Sequence, residues 1–230
     1  HVEYVQDMKN NLNILYEDNH IIVVIKPYNI LSQSDNTNDL DMLTIIKNYI
    51  KEKYNKPGNV YLGLVHRLDR PTGGIMVFAK TSKAASRLSK QIKDDKFTKK
   101  YLAVVHGTFT KKEGTLENYI KKTDDNSSVV TAKEEGKYAK LDYKVLKEKD
   151  DLSILDITLY TGRHHQIRVQ LSNIGHPLYG DQRYGINDKK QLGLFAYHLE
   201  FYHPVTKEKL IFEYMPKEEI FKWKNIKEYY

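Results

Sequence analysis

Apolar positions along this chain come in short dense clusters separated by polar turns, and only a few segments repeat with helical spacing. Asn13 to Tyr16 and His20 to Lys26 read as two short strands, because Ile and Val cluster there between turn residues. Pro27 to Asn38 is polar and turn-rich and reads as a loop. From Asp41 to Tyr54 the positions Leu43, Ile46, Tyr49 and Ile50 share one helical face, and Lys56-Pro57-Gly58 ends the helix. Leu62 to Val65 and Gly74 to Ala79 are short strands on either side of a turn. Thr81-Ser82 caps a helix to about Asp94 whose polar face, Lys83, Arg87, Lys90 and Lys93, reads as a solvated surface. Thr98 to His106 is a strand, and Lys112 to Lys137 is expected to form loops around short peripheral strands. Tyr138 to Lys147 and Leu152 to Tyr160 alternate as a hairpin or meander. Arg163 to Ile174 has helix spacing and stops at Gly175-His176-Pro177. Ala196 to Tyr202 and Glu208 to Tyr214 form a second hairpin around Pro204, and Glu218 to Lys224 is a closing helix. Strands in runs with occasional helices predict an α+β fold with a largely antiparallel sheet. No repeat and no linker separates two domains.

Composition narrows the partner. Lys plus Arg (37) exceeds Asp plus Glu (30), for a net charge of +7. A basic excess of this size suits a polyanion, nucleic acid first and an anionic membrane surface second. The 18 tyrosines add rings that can stack on bases, although strand packing accounts for many of them. The absence of Cys excludes disulfides, thiolate catalysis and Cys-ligated zinc. No apolar run approaches the roughly 20 residues of a membrane helix, and no signal peptide is evident, so a cytoplasmic location is expected. Met8 is a candidate start, with residues 1–12 a leader or cloning remnant ahead of a domain spanning 13–230.

Three stretches concentrate chemistry. In His66-Arg67-Leu68-Asp69-Arg70 one carboxylate stands between two arginines, a setting that favours its ionised form. Such an acid suits nucleophilic or electrostatic work at neutral pH; the same residues also fit a surface salt bridge beside a turn. In Lys99 to Val105, Tyr101 shares a strand face with Ala103 and Val105. Its ring lies against a base if that face meets a cleft, and is packed if it meets the core. Thr161 to Gln170 is dense in donors, with Arg163 at a helix start and Arg168 about one turn beyond His164 and His165. Arginine there suits a carboxylate or a phosphate. The adjacent histidines cannot share one helix face, and no zinc pattern is present, so no metal site is expected. Gly175 to Asp181 reads as a structural bend with an Asx-type acceptor at Asp181.

Taken in order, HRLDRPTGG (His66 to Gly74), KKYLAVVHG (Lys99 to Gly107), TGRHHQIRVQLSNIGHPLYGD (Thr161 to Asp181) and HLEFYHPVT (His198 to Thr206) resemble the RluA-type pseudouridine synthases. The resemblance implies one catalytic domain with a large, mainly antiparallel mixed sheet, flanking helices and a central RNA-binding cleft. It implies isomerisation of uridine to pseudouridine in ribosomal or transfer RNA without metal or cofactor; a monomer is the default expectation. Asp69 stands at the family's essential aspartate, Tyr101 at the tyrosine that stacks on the target uracil, and Arg168 at the basic partner of the catalytic carboxylate. Arg67 matches an arginine that helps displace the flipped nucleotide, and Arg70, Arg163, His165 and Gln166 are further candidate RNA contacts. Pro71-Thr72-Gly73-Gly74 departs from the Thr-Ser-Gly of many members. The S4 RNA-binding domain that many members carry first is expected to be absent. Two rivals remain: a glycosidase, which usually needs a second acid, and a non-catalytic RNA-binding module, whose binding would be salt-sensitive and independent of Asp69.

Overall fold

The structure is a computed structural model and describes residues 2–222. Among the described residues there are eleven strands and four α-helices, and the chain divides into two compact units. The first holds the chain up to Phe97 together with Leu199–Tyr214; the second holds Thr98–His198 and the residues from Met215. The crossing between His198 and Leu199 falls inside a strand, Leu194–Tyr202, which is why no linker composition marks it.

In the first unit β1 (Ile14–Glu17), β2 (Ile21–Lys26) and β4 (Gly73–Ala79) pair antiparallel in that order, with β3 (Gly63–Leu64) also on β4. Every residue of β2 and of β4 is buried, the pattern of strands covered on both faces. The register sets Ile21 opposite Ala79 and Lys26 opposite Gly74, so the end of β2 lies beside the turn that carries Asp69. Helix α2 (Met42–Lys53) starts at Asp41, whose carboxylate accepts the Thr44 N–H at 3.0 Å. It buries Met42, Ile45, Ile46 and Ile50; the expected face is rotated, with Leu43 and Tyr49 only half-buried. Helix α3 (Ser82–Lys93) is capped by Thr81, as its sequence predicts. A short helix, α1 (Val2–Asn10), falls in the stretch expected to be a leader, and its Lys9 is buried and paired with Glu52 of α2.

In the second unit β5 (Thr98–His106), β9 (Leu152–Leu159), β8 (Lys137–Lys149), β6 (Glu113–Lys122) and β7 (Ser128–Thr131) follow one another, all antiparallel. Helix α4 spans Gln166–Asn173. The β8–β9 turn places Asp150 and Asp151 both at positive φ, the requirement of a tight two-residue hairpin. The stretch Lys112 to Lys137 is a correction. Its first part is a ten-residue strand, β6, paired with β8 from Glu113 to Ile120. Glu113, Thr115 and Glu117 are exposed and only Ile120 is buried, so the strand is held by its ladder rather than by apolar burial. Strands β10 (Leu194–Tyr202) and β11 (Lys209–Glu213) form the second hairpin, and of the closing helix the described part is a 3₁₀ turn at Glu219–Phe221; the remainder lies outside the described residues.

Two carboxylates tie the start of the first unit together. Glu17 accepts from Tyr49 (2.7 Å), Lys53 (2.9 Å), Tyr54 (2.7 Å) and Lys80 (2.9 Å). Asp18 accepts the N–H groups of His20 and Ile21, the Tyr16 hydroxyl and His203, whose Nε2 lies 2.6 Å away. The second ring nitrogen of His203 accepts the Val205 and Thr206 N–H groups, so Nε2 carries the proton and donates. Burial pushes both carboxyls up, but these donors outweigh it and hold each at about 2. Depressed folded values contribute stability that is complete above the unfolded values of 4.5 and 3.8 and is lost as pH falls toward 2. These two carboxylates are therefore expected to add a steep fall in thermal stability below about pH 4.5, and Asp18→Asn should flatten part of that fall. An acid slope unchanged in the variant would remove Asp18 from the effect.

Candidate active site

The Asp69 turn is fixed by its main chain. Leu68 is buried, and the Ser32 hydroxyl bonds it on both sides: it donates to the Leu68 carbonyl at 2.8 Å and accepts the Leu68 N–H at 3.1 Å. The Asp69 carbonyl accepts the Thr72 N–H at 2.9 Å, closing the turn into β4. On the far side of Asp69 the carbonyl of Arg70 accepts from Lys26 Nζ at 2.9 Å. The same ammonium donates to the carbonyls of Pro27 (3.0 Å) and Ile30 (2.6 Å). Lys26 is fully buried. Burial pulls it down to about 7; the Asp69 charge opposes that fall and Arg70 adds to it. The residues before and after Asp69 are thus gripped by the segment that follows β2 and by the last residue of β2, while Asp69 itself stays half-buried.

The two arginines of the motif have different surroundings. Arg67 is exposed. Arg70 turns to Asp39, 2.8 Å away, and to the Asn29 carbonyl at 3.3 Å, so its ion pair lies with the loop after β2. Lys26, whose buried ammonium feels the Asp69 charge, was not singled out by the motif reading. Its signal in the sequence is slight: one lysine ending the run Ile21-Ile22-Val23-Val24-Ile25.

In the second unit Tyr101 lies on β5 opposite Ile157 of β9 and is 8% exposed. Arg168 lies in the first turn of α4 and is buried. Its guanidinium holds Asp181 in a two-pronged bond, Nε to Oδ2 at 2.9 Å and Nη2 to Oδ1 at 2.9 Å. Asp181 is fully buried, and its Oδ1 also accepts the N–H groups of Arg183 and Tyr184, which is the Asx bend its sequence predicts. The guanidinium carbon sits 5.2 Å from the centre of the Tyr184 ring. Gly180, at φ 72°, leads into Asp181, and a Cβ there would stand 2.2 Å from the Gln191 carbonyl oxygen, so only glycine fits.

The helix expected from Arg163 begins at Gln166. His165 stands before it at φ 54°, a left-handed conformation that breaks the helix path. Its ring stacks on His164 at 3.8 Å and its Nδ1 meets the Tyr184 hydroxyl at 2.6 Å. Burial, then Arg168, His164, Arg183 and Lys122, pull His165 down to about 3, so the ring is neutral near pH 7. Gln166 is a correction among the candidate RNA contacts. It is buried, its oxygen accepts from Thr161 and the Arg163 N–H, and its amide donates to Lys140 and Gln170. It braces the turn from within. Arg163 is half-buried and donates to the Tyr138 carbonyl at 2.7 Å. Among the described residues no group of three or more His, Asp or Glu is placed to hold a metal ion, and no helix is long and apolar enough to cross a membrane.

Comparison with known proteins gives a consistent result. The family described as RNA pseudouridylate synthase matches residues 20–173. An uncharacterized RNA pseudouridine synthase of Aquifex aeolicus (strain VF5) is 36% identical over 216 residues, covering 88% of this chain and 68% of that one. Ribosomal large subunit pseudouridine synthase C of Buchnera aphidicola subsp. Schizaphis graminum (strain Sg) is 33% identical over 220 residues, covering 90% and 68%. Among solved structures, human RNA pseudouridylate synthase domain containing 4 superposes with a TM-score of 0.79 at 22% identity over 94% of each chain, a likeness of fold. Human RNA pseudouridylate synthase domain containing 1 gives 0.72 at 25% identity over 90% and 84%.

Proposed function

Because the chain belongs to the RNA pseudouridylate synthase family, whose members convert uridine to pseudouridine in RNA, we propose that it acts on large-subunit ribosomal RNA with Asp69 as the reacting acid. The observation that carries the role of Asp69 is the double grip on its turn: Ser32 on Leu68 and Lys26 on Arg70 hold the main chain on both sides of a carboxylate that is itself half-buried. A reacting group held by its backbone loses little entropy on reaching the transition state. The ribosomal substrate is supported by the names of relatives such as synthase C of Buchnera.

The reaction is a rearrangement. The N1–C1′ bond breaks, the uracil turns while bound, C5 joins C1′, the C5 proton departs and N1 takes one up. The target must leave its stack, which costs a few kcal/mol. Arg67, exposed beside Asp69, fills the place it leaves. The Tyr101 ring takes over stacking, worth about 1–3 kcal/mol, and its hydroxyl takes part in moving the C5 proton. Asp69 either attacks C1′ or stabilises a cationic sugar and removes the 2′ proton; both use an ionised carboxylate. Arg168 supplies positive charge for it, and Arg163 meets the RNA backbone. A cytoplasmic location and a monomeric state belong to the same proposal.

Release of tritium from RNA labelled at C5 of uridine tests the substrate. Release is expected from a large-subunit ribosomal RNA pool, with no free uracil and none from a transfer RNA pool. Release from transfer RNA alone would overturn the ribosomal assignment, and free uracil would point to a glycosidase.

A further inference from the structure

Two features of the first unit lie outside the reaction as described: the basic face of α3 and the His203-Pro204 turn between β10 and β11. They meet at one atom. The Pro204 carbonyl accepts from Arg87 Nη1 at 3.0 Å and from Lys207 Nζ at 3.2 Å. One cation is enough to satisfy that oxygen, and a second beside it adds like-charge repulsion. Among the described residues neither cation has a carboxylate within ion-pair distance, although Glu208 follows Lys207 in the chain. The helix adds positive charge and no negative charge: Ser82–Lys93 carries Lys83, Arg87, Lys90 and Lys93 and no acid. Like charges three and four positions apart weaken a helix, and of these four Lys90 alone has an ion pair among the described residues, with Asp94. Lys207 stands at φ 66°, a left-handed conformation that asparagine or glycine adopts at lower cost. Its side chain is exposed and that of Arg87 half-buried, so the pair opens to solvent with most of its N–H donors unspent.

We propose that Arg87 and Lys207 together form a site for one phosphate of the RNA backbone, and that Lys83, one turn earlier on α3, continues it. This rests on the chain acting on RNA. A phosphate set between the two cations takes charge-assisted bonds from both and offsets their mutual repulsion. Arginine meets it with a planar fork and lysine as a point charge. The site is separate from the reacting turn: β4 leads away from Asp69, and α3 starts past its far end. Contacts of this kind fix the orientation of RNA on the protein and read no base.

The salt dependence of RNA binding counts the phosphates that a protein neutralises. Filter-binding Kd on large-subunit ribosomal RNA is measured against KCl concentration for the parent, Lys207→Asn, Arg87→Gln and the double variant. Each single variant is expected to weaken binding about three- to tenfold at about 0.15 M salt and to reduce the log–log slope by about 0.7–1. The double variant should fall short of the sum of the singles, because the two cations share one phosphate. Asparagine suits the left-handed backbone at 207, so the melting temperature of that variant should equal or exceed the parent's, which separates lost binding from lost fold. Lys209→Gln removes an exposed lysine of the same hairpin that is already paired with Glu200 at 3.0 Å, and its slope should match the parent's. Unmoved slopes in Lys207→Asn and Arg87→Gln, an equal loss in Lys209→Gln, or full additivity in the double variant would overturn the proposal. Tritium release by the parent reads the enzymatic assignment separately. Release with unmoved slopes would leave that assignment standing and remove the phosphate site; moved slopes without release would do the reverse.

Discussion

Asp69→Asn is expected to lose turnover by about four orders of magnitude while its fold and RNA affinity stay near those of the parent. Asparagine has nearly the shape of aspartate, and the turn is held by main-chain bonds from Ser32, Lys26 and Thr72, none of which needs the carboxylate. The substitution therefore removes charge and nucleophilicity and little else. Single-turnover tritium release from C5-labelled RNA, with a filter-binding Kd on the same RNA, measures both quantities. Comparable turnover in the variant would take Asp69 out of the mechanism. Loss of turnover with loss of binding would show that the carboxylate supports the fold or the RNA site instead.

Arg168→Met is expected to act twice. It leaves Asp181, fully buried, without its two-pronged partner, and breaking such a pair costs about 3–5 kcal/mol of stability. It also removes positive charge proposed to serve Asp69, so kcat should fall and the acid limb of the pH profile should move up. The double variant Arg168→Met with Asp181→Asn separates the two effects. Asparagine keeps an oxygen for the Arg183 and Tyr184 N–H groups but buries no charge, so stability should partly return. Turnover should stay low. Denaturant unfolding and rate profiles on the three proteins check this, and turnover returning with stability would make Arg168 a structural residue only.

Most of the fold was legible because it is written locally. The aliphatic run of β2, the Thr81 cap and the alternation of β8 and β9 each follow from residues within a few positions of one another. Strand β6 was missed for the complementary reason. Its residues bury little, and it exists because β8 offers a ladder, which periodicity does not register. The helix start at Arg163 was misplaced because His165 adopts a left-handed conformation that no residue pattern announces.

The site divides the same way. Asp69, Tyr101 and Arg168 stood out in the chain because unusual residue types crowd into short motifs, and those motifs carry the family. Which cation and which acid each of them meets was decided by tertiary structure. Lys26 reaches Arg70 across 44 positions, Ser32 reaches Leu68 across 36, and Arg168 finds Asp181 across 13. Such partners meet only after strands have registered and burial has excluded water, since a charge or hydroxyl gains strength from a distant partner only where the solvent that would screen it is gone. The sequence by itself determined most of the elements, the basic character and the motifs that carry the family; the packed chain alone decided what holds the Asp69 turn in place.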